Sequence, residues 1–271
     1  MQPENREITS RDNPTYRYIR TLHDRKTAMS EGLVFIEGVR LCEDALISGM
    51  RPRYIVSSSE RKALASLWCE RFDVCQSASY YQFAEPLFAK LGSTKNPQGI
   101  ALVIEAPDYA TSIPSRGRDL YLILESVADP GNLGTIIRTA DAFDFTAVIL
   151  SGDSTDPYGE KAMRASMGSC FHIPIVSIPD ISEVCMLLEQ NGVQLIASDL
   201  RGDSLNSATI QLPCAVVIGN EARGITDTCA NLCHYRVKIP MPGKAESLNA
   251  SSAASVLAYE MMIRRDRTIH E

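Results

Sequence analysis

The sequence predicts an α/β protein in which a small α/β domain precedes a larger domain built on a parallel, doubly wound sheet. From residue 119 onward, apolar strands alternate with helices, the pattern of βα units in a parallel sheet. The first of these strands, DLYLILES at 119–126, is almost wholly apolar, as expected when helices cover both of its faces. The segment before it, PDYATSIPSRGR at 107–118, is rich in Pro, Ser and Gly and has no periodicity. We therefore predict a first domain at 1–106, a linker at 107–118 and a second domain at 119–271.

The elements of the first domain follow from short apolar runs. A helical N-terminal stretch leads to a strand in VFIEGVR at 34–40, which ends in a turn at Glu37-Gly38. LCEDALISGM at 41–50 has helical apolar spacing and stops at Gly49. A strand in RYIVSSS, a helix at 60–71 and a strand in GIALVIE at 99–105 complete the domain.

The second domain repeats a strand–helix rhythm. After DLYLILES, the strands are predicted in AVILSG, HIPIVSI, VQLIASDL, PCAVVIGN and YRVKIPM. The helices are predicted in NLGTIIRTADAFD, YGEKAMRASMGS, ISEVCMLLEQNG and LNASSAASVLAYEMMIRR. Ligands of such sheets bind outside the carboxyl ends of the strands, so residues that follow strands are the candidate site.

Composition favours a cytoplasmic protein without a metal. No apolar run approaches the ~20 residues of a membrane span, and the charged N-terminus lacks the apolar core of a secretion signal. The eight cysteines include no CxxC pair, which favours reduced cysteines in a reducing compartment. Cys229, Cys233 and His234 lie close in sequence, but structural zinc needs four converging ligands, so we expect no metal site.

The charge distribution leaves the partner open. The net charge is −6, of which residues 1–106 contribute +1 and the remainder −7. Six basic residues near the start accompany Tyr16 and Tyr18; they are Arg6, Arg11, Arg17, Arg20, Arg25 and Lys26. This segment is either a local RNA footprint or an ordinary solvated helix face.

Three segments remain after the common nucleotide and hydrolase motifs are excluded. The chain has no GxGxxG, GxxxxGK[ST] or GxSxG. The remaining segments are ADPGNLGTIIRTADAFDF at 128–145, AVVIGNEARGIT at 215–226 and VKIPMPGKAESLNASSAASVLAYEM at 237–261. In the first, Asn132 is predicted to cap a helix that begins at Leu133; in the third, Ser247 is predicted to cap the last helix. Each segment alone also describes an ordinary helix or turn.

Taken together, NxGxxxRTAxxF, IGNExxG and IPMxGxxxSLNxSxAxxxxxYE resemble, in order and spacing, the three motifs of SpoU-type RNA ribose methyltransferases of the SPOUT superfamily. The resemblance covers residues 119–263. VFIEGVRLCEDAL and TKNPQGIALV look like the small ribosomal-protein-like RNA-binding domain that precedes the catalytic domain in many members.

The resemblance implies a fold and a cofactor. Members fold the catalytic domain as a parallel sheet whose C-terminal segment forms a deep trefoil knot, and they bind S-adenosyl-L-methionine there. The positions expected to hold the cofactor are Ser198, Asp199, Ile218, Gly219, Asn220, Ile239, Met241, Ser247 and Leu248. Glycine at 219 is expected because a side chain would block the approach of the adenosine.

The resemblance also implies methyl transfer to a ribose 2′-hydroxyl, with Arg138, Asn132, Glu221, Ser247 and Asn249 as catalytic residues. Because a guanidinium keeps its proton in proteins, we expect Arg138 to clamp phosphate and stabilise the developing alkoxide. Asn132 and Glu221 are expected to orient Arg138 and the ribose. Ser247 and Asn249 are expected to tie the loops together and to contact the substrate. Members act as homodimers in which this arginine approaches the cofactor of the other subunit.

The preferred substrate is large-subunit ribosomal RNA, with a role in rRNA processing. A tRNA ribose methyltransferase, a base methyltransferase and a non-catalytic RNA-binding protein of the same fold are the alternatives. The modified nucleotide, the group that accepts the 2′-hydroxyl proton and any role in antibiotic resistance stay open.

Overall fold

A computed structural model of the chain describes residues 7–92 and 96–267. Arg6 of the N-terminal basic segment, and Thr94 and Lys95 of TKNPQGIALV, lie outside the described residues. The chain divides into two compact units, Met1–Asp108 and Tyr109–Glu271. Among residues 7–92 and 96–267, no helix combines the length and apolar character needed to cross a bilayer.

The first unit is a four-stranded sheet with short helices. Its elements are α1 (Pro14–Thr21), α2 (Arg25–Ser30), β1 (Leu33–Glu37), α3 (Val39–Ile47), β2 (Pro52–Ser58), α4 (Lys62–Arg71), β3 (Ser79–Phe83), α5 (Glu85–Phe88) and β4 (Ile100–Glu105). The strand order is β1-β4-β2-β3, in which β4 runs antiparallel to both neighbours and β3 runs parallel to β2. Tyr16 and Ile19 of α1 pack against Val56 and Phe83 in the core of this unit.

The second unit contains a six-stranded sheet in which every pairing is parallel. Its elements are β5 (Leu120–Glu125), α6 (Pro130–Ala142), β6 (Ala147–Ser151), α7 (Glu160–Ser166), β7 (Ile175–Ser177), α8 (Ile181–Gln190), β8 (Gln194–Ser204), β9 (Cys214–Ile218), α9 (Asp227–Leu232), β10 (Tyr235–Lys238) and α10 (Ala250–Arg267). The strand order is β10-β8-β9-β5-β6-β7. The predicted α/β class with a parallel sheet is therefore confirmed.

Both faces of the sheet are covered, which explains the wholly apolar strands. Helices α8 and α9 pack on one face against a core that includes Tyr121 and Ile123 of β5. The alternate residues Leu120, Leu122 and Leu124 are also fully buried, on the face toward α6 and α10. All six residues of β5 are buried. Burial on both faces is the arrangement that the apolar run predicted.

The boundary segment packs onto the second unit. Ala110 forms a parallel bridge with Val176 of β7, and Asp119 accepts hydrogen bonds from Ser115 and from the backbone of Arg116. Desolvation would raise the pKa of Asp119, but these hydrogen bonds hold it below its ordinary value. From Tyr109 onward the predicted linker therefore belongs to the second unit.

Strand β8 is longer than the sequence pattern predicted and pairs with β10 in two separate stretches. Ile196 and Ala197 pair with Tyr235 and Arg236, and the register then shifts so that Asp203 pairs with Val237. The intervening segment 198–202 loops out of the ladder. A Cβ on Gly202 would lie 2.5 Å from the backbone carbonyl carbon of Arg236, so the two chain segments pass each other closely there.

Candidate functional site

The carboxyl ends of β8, β9 and β10 meet at one edge of the sheet and form a cleft. The cleft is lined by Ser198, Asp199, Leu200, Ile218, Gly219, Asn220, Glu221, Gly224, Lys238, Ile239, Met241, Ser247, Leu248, Ala250 and Ala253. All nine residues predicted to hold a cofactor are among them. Parallel strands bring their carboxyl ends to the same edge, which is why residues far apart in sequence converge here.

A hydrogen-bonded chain of three side chains joins the three sequence motifs beside this cleft. The Glu221 carboxylate accepts hydrogen bonds from the Asn132 amide at 2.9 Å and from the backbone N–H groups of Ala128 and Asp129 at 3.2 Å. The Asn249 amide donates to the Asn132 carbonyl oxygen at 3.0 Å. The order Glu221–Asn132–Asn249 therefore fixes the relative positions of β9, α6 and α10 at the site.

The carboxylate of Glu221 is stabilised in its charged form. Desolvation alone would raise its pKa, but the hydrogen bonds from Asn132 and from nearby backbone groups hold the pKa below its ordinary value. Glu221 is therefore an anion at neutral pH, already engaged by three donors.

The helix caps differ from those predicted. Helix α6 begins at Pro130, and its N-cap is Asp129, whose carboxylate accepts from the Asn132 backbone N–H. The last helix begins at Ala250, and Asn249 caps it by accepting from the backbone N–H groups of Ser251 and Ser252. The predictions that Asn132 and Ser247 act as caps are wrong, because residues nearer each helix start supply the acceptor oxygen.

Asn249 consequently has two functions at once. Its side-chain oxygen caps α10 by accepting from the backbone N–H of Ser251. Its side-chain nitrogen donates a hydrogen bond to Asn132. Ser247 lies three residues before the helix and lines the cleft.

Asn220 and Gly219 shape the turn that carries Glu221. The Asn220 amide donates to the Ser126 carbonyl oxygen at 2.8 Å, and its oxygen accepts from the backbone of Ala222 and Arg223. A Cβ on Gly219 would lie 2.2 Å from the Gly224 carbonyl carbon. Gly219 is therefore required for closure of this turn, a physical reason different from the predicted approach of a ligand.

The segment 198–202 within β8 carries an anchored carboxylate. Arg201 donates to Asp199 through its side chain at 2.9 Å and through its backbone N–H at 2.9 Å. These hydrogen bonds lower the pKa of Asp199, whose side chain is only 7% exposed. Asp199 thus brings a fixed negative charge to the cleft.

Arg138 lies apart from this network. It is exposed on α6, six residues beyond Asn132, which corresponds to about 9 Å along the helix axis. Among the residues that the structure describes, none forms a hydrogen bond or ion pair with its guanidinium, and it is not part of the cleft lining. Within a single chain Asn132 and Glu221 contact each other rather than Arg138, so the expectation that they orient Arg138 stays a prediction.

Two residues in the segment after β5, Ser126 and Asp129, were not among the predicted catalytic or cofactor-binding residues. Asp129 caps α6, and its other oxygen forms an ion pair with Lys161 of α7 at 2.8 Å, which lowers the pKa of Asp129. Ser126 adopts a left-handed backbone with φ of 57° at the end of β5. The Asp-Pro pair at the start of α6 is a helix-start signal that identifies Asp129. The strained conformation of Ser126 has no such signal.

The lining residues suit a nucleoside with a positively charged sulfonium. Ile218, Ile239, Met241 and Leu248 offer apolar surface for a flat base, while the side chains of Ser198, Asp199 and Ser247 offer polar groups. A carboxylate can accept from ribose hydroxyls and complements positive charge. The donor set therefore fits S-adenosylmethionine.

Comparison with known proteins finds a matching protein family for each of the two units. Residues 119–259 match the SpoU rRNA Methylase family, and residues 13–102 match the MRM3-like substrate binding domain. The chain is 31% identical to the 23S rRNA (uridine(2479)-2′-O)-methyltransferase of Streptomyces viridochromogenes, over 97% of this chain and 94% of that protein.

Two further relatives match along almost their whole length. The 23S rRNA (guanosine(2553)-2′-O)-methyltransferase RlmP of Bacillus subtilis is 30% identical, over 94% of this chain and 99% of that protein. The crystal structure of an AdoMet-bound rRNA methyltransferase from Sinorhizobium meliloti is 29% identical, with a TM-score of 0.82, over 96% of this chain and 98% of that one.

Proposed function

Because this chain belongs to the SpoU rRNA methylase family, we propose that it transfers a methyl group from S-adenosylmethionine to a ribose 2′-hydroxyl of large-subunit ribosomal RNA. The observation that carries the proposal is the Glu221–Asn132–Asn249 chain, which joins all three motifs at the edge of the cleft. A ribosomal substrate supports a cytoplasmic location for the enzyme.

The cofactor supplies a methyl group on a sulfonium, a highly activated donor, so the protein must chiefly position the acceptor and favour its deprotonated form. The cleft between the loops that contain Asp199, Gly219 and Met241 would hold the cofactor. Ser247 and Leu248 close it from the side of α10.

The catalytic roles divide between positioning residues and one cation. The positioning residues are hydrogen-bonded to one another in the order Glu221, Asn132, Asn249. Glu221 also accepts from the backbone of Ala128, which keeps the loop after β5 close to the cleft. Ser247 lines the cleft and would contact the ligands bound there. Arg138 supplies positive charge to the RNA phosphate and to the oxygen that becomes an alkoxide as the proton leaves.

Arg138 performs this role in a homodimer, approaching the cleft of the partner subunit. Three features support this part of the proposal. The guanidinium is exposed, and Thr139 beside it bonds to Ser255 of α10. Two large apolar side chains nearby on α10, Val256 and Tyr259, are 42% and 52% exposed. Such an apolar surface next to an unengaged cation is typical of an oligomer interface.

A trefoil knot is part of the same proposal. The segment 198–202 loops out of the β8–β10 ladder, and Gly202 passes against the backbone of Arg236. We place the threading of the C-terminal segment at this close approach.

The matches favour ribosomal RNA over tRNA, because the two 23S rRNA enzymes match over at least 94% of this chain, the first unit included.

The test is to incubate the full chain with methyl-labelled S-adenosylmethionine and, separately, large-subunit rRNA and tRNA. A 2′-O-methyl group blocks attack of that hydroxyl on the neighbouring phosphate, so the modified position resists alkaline cleavage. Label on rRNA at such a position supports the proposal. Label confined to tRNA, or to a base, contradicts it.

A further inference from the structure

Three tyrosine rings from separate elements of the first unit form a continuous aromatic surface. The Tyr18 ring of α1 contacts the Tyr54 ring of β2 edge to face, with centroids 5.9 Å apart. The Tyr54 ring in turn lies 6.1 Å from the Tyr81 ring of β3. All three side chains are half-buried at the margin of the core. We call Tyr18, Tyr54 and Tyr81 the tyrosine surface.

This surface differs from the aromatic core beneath it. Tyr16, two residues before Tyr18, is 1% exposed, and its hydroxyl donates to the Leu87 carbonyl oxygen. Tyr16 therefore belongs to the packed core and presents no ring surface to solvent. The rings of the tyrosine surface keep part of their area in water.

Positive charge borders the tyrosine surface. The Arg53 guanidinium lies over the Tyr54 ring, 5.9 Å from its centroid. Arg17 and Arg20 are exposed on α1, which contains no acidic residue, and Arg51 is exposed just before β2. The acidic group that touches the surface is Glu31, which accepts a hydrogen bond from the Tyr18 hydroxyl. The Arg53 contact and the exposed arginines on these elements supply positive charge that complements a polyanionic partner.

We propose that the tyrosine surface and Arg53 bind unpaired nucleotides of the RNA substrate by stacking on their bases. Aromatic rings and guanidinium planes are the groups on which proteins stack unpaired bases, and neighbouring arginines then contact the phosphates. Paired bases in an RNA helix are already stacked on each other and cannot occupy such a surface. The inference rests on the proposed RNA methyltransferase function and adds to it that the substrate presents a single-stranded segment to the first unit.

The experiment uses the full chain and a short single-stranded RNA that contains one 2-aminopurine, whose fluorescence is quenched when the base stacks on an aromatic ring. The wild-type protein is expected to quench the probe. Tyr81→Ala and Arg53→Gln are each expected to weaken binding roughly five- to ten-fold, the lower end of what one stacked base contributes. Tyr81→Phe retains the ring and is expected to bind like the wild type.

Tyr80→Ala is the matched control. Tyr80 is the neighbouring residue on β3, is also half-buried, and places its hydroxyl 2.8 Å from Ser57 Oγ on the opposite face of the sheet. Tyr80→Ala should leave the affinity for the RNA and the quenching of its 2-aminopurine unchanged. Arg53→Gln changes an exposed side chain, so its result does not depend on whether Tyr81→Ala folds normally.

Unchanged affinity in both Arg53→Gln and a folded Tyr81→Ala, or a probe that is not quenched by the wild type, overturns the proposal. Methyl transfer to rRNA is measured in parallel with the same proteins. A wild-type protein that methylates rRNA but does not quench the probe rejects only the tyrosine surface. Normal quenching without any labelled rRNA rejects only the proposed function.

Discussion

Substitution of Gly219 by Ala tests whether closure of the turn at 219–224 is the physical basis of the site. The added Cβ would lie 2.2 Å from the Gly224 carbonyl carbon and 2.3 Å from the Ile225 nitrogen, whereas ordinary van der Waals contact begins at 3.4 Å. Both atoms belong to the backbone, so the turn must move by about 1 Å, at a cost of about 1–3 kcal/mol in the free energy of unfolding.

That displacement also disrupts the site. The three hydrogen bonds accepted by Glu221 span 2.9–3.2 Å, and a shift of about 1 Å takes them beyond hydrogen-bonding distance. We expect Gly219→Ala to lower the urea midpoint and to weaken S-adenosylmethionine binding at least about ten-fold, or about 1.4 kcal/mol by calorimetry. Gly243→Ala is the control, because a Cβ there meets nothing within 4 Å. A Gly219→Ala protein with wild-type stability and cofactor affinity would refute the reasoning.

The remaining predictions concern the polar chain and the exposed cation. Arg138→Ala should leave S-adenosylmethionine affinity near the wild-type value and lower methyl transfer by about 10²-fold or more, and retained turnover would remove its assigned role. Asn249→Ser keeps a capping oxygen but cannot reach Asn132, so kcat should fall while the urea midpoint stays almost unchanged; a large loss of stability would contradict the separation of the two functions. Glu221→Gln should destabilise the protein at neutral pH. The pKa of Glu221 in the folded protein lies below the unfolded value of about 4.3, so its charged form stabilises the fold only above that range. The difference in unfolding free energy between the wild type and Glu221→Gln should therefore narrow as the pH falls below about 4. A difference that does not change with pH would contradict this reasoning.

The order of elements and the edge that carries the site could both be predicted from the sequence. Strand β5 is apolar throughout, and the strands that follow it alternate with helices, which together indicate a parallel sheet. Given that sheet, residues following β8, β9 and β10 must share an edge. The resemblance to known motifs then selected Ser198, Ile239 and Leu248 for the cleft, where the structure places them. That they contact the cofactor stays a prediction.

Other elements lacked a signal in the sequence. Strand β3 is SYYQF, which has no buried residue except Phe83, so neither alternation nor an apolar run marks it. Helix α9 has only six residues, too few for a helical period to be visible. These elements form because the neighbouring strands and helices supply their partners.

The polar contacts of the site could not be predicted either. Sequence spacing does not show that Glu221 accepts from Asn132, because the two are 89 residues apart. Nor does residue type alone distinguish Asp129 from Asn132 as the cap of α6, since both types cap helices well; only the proline that follows Asp129 favours it. Such choices depend on side-chain distances of a few tenths of an ångström, which only the folded chain defines.

The bond between Asn249 and Asn132 also has a consequence for synthesis of the protein. It spans 117 residues and originates from the residue at which the final helix starts. A growing polypeptide that has reached Ser247 already contains Asn132 and Glu221, yet it lacks the Asn249 amide that links Asn132 to α10. The Asn249–Asn132 bond can therefore form only after residue 249 has been synthesised, and termination before codon 249 would yield a product that lacks this link between α6 and α10.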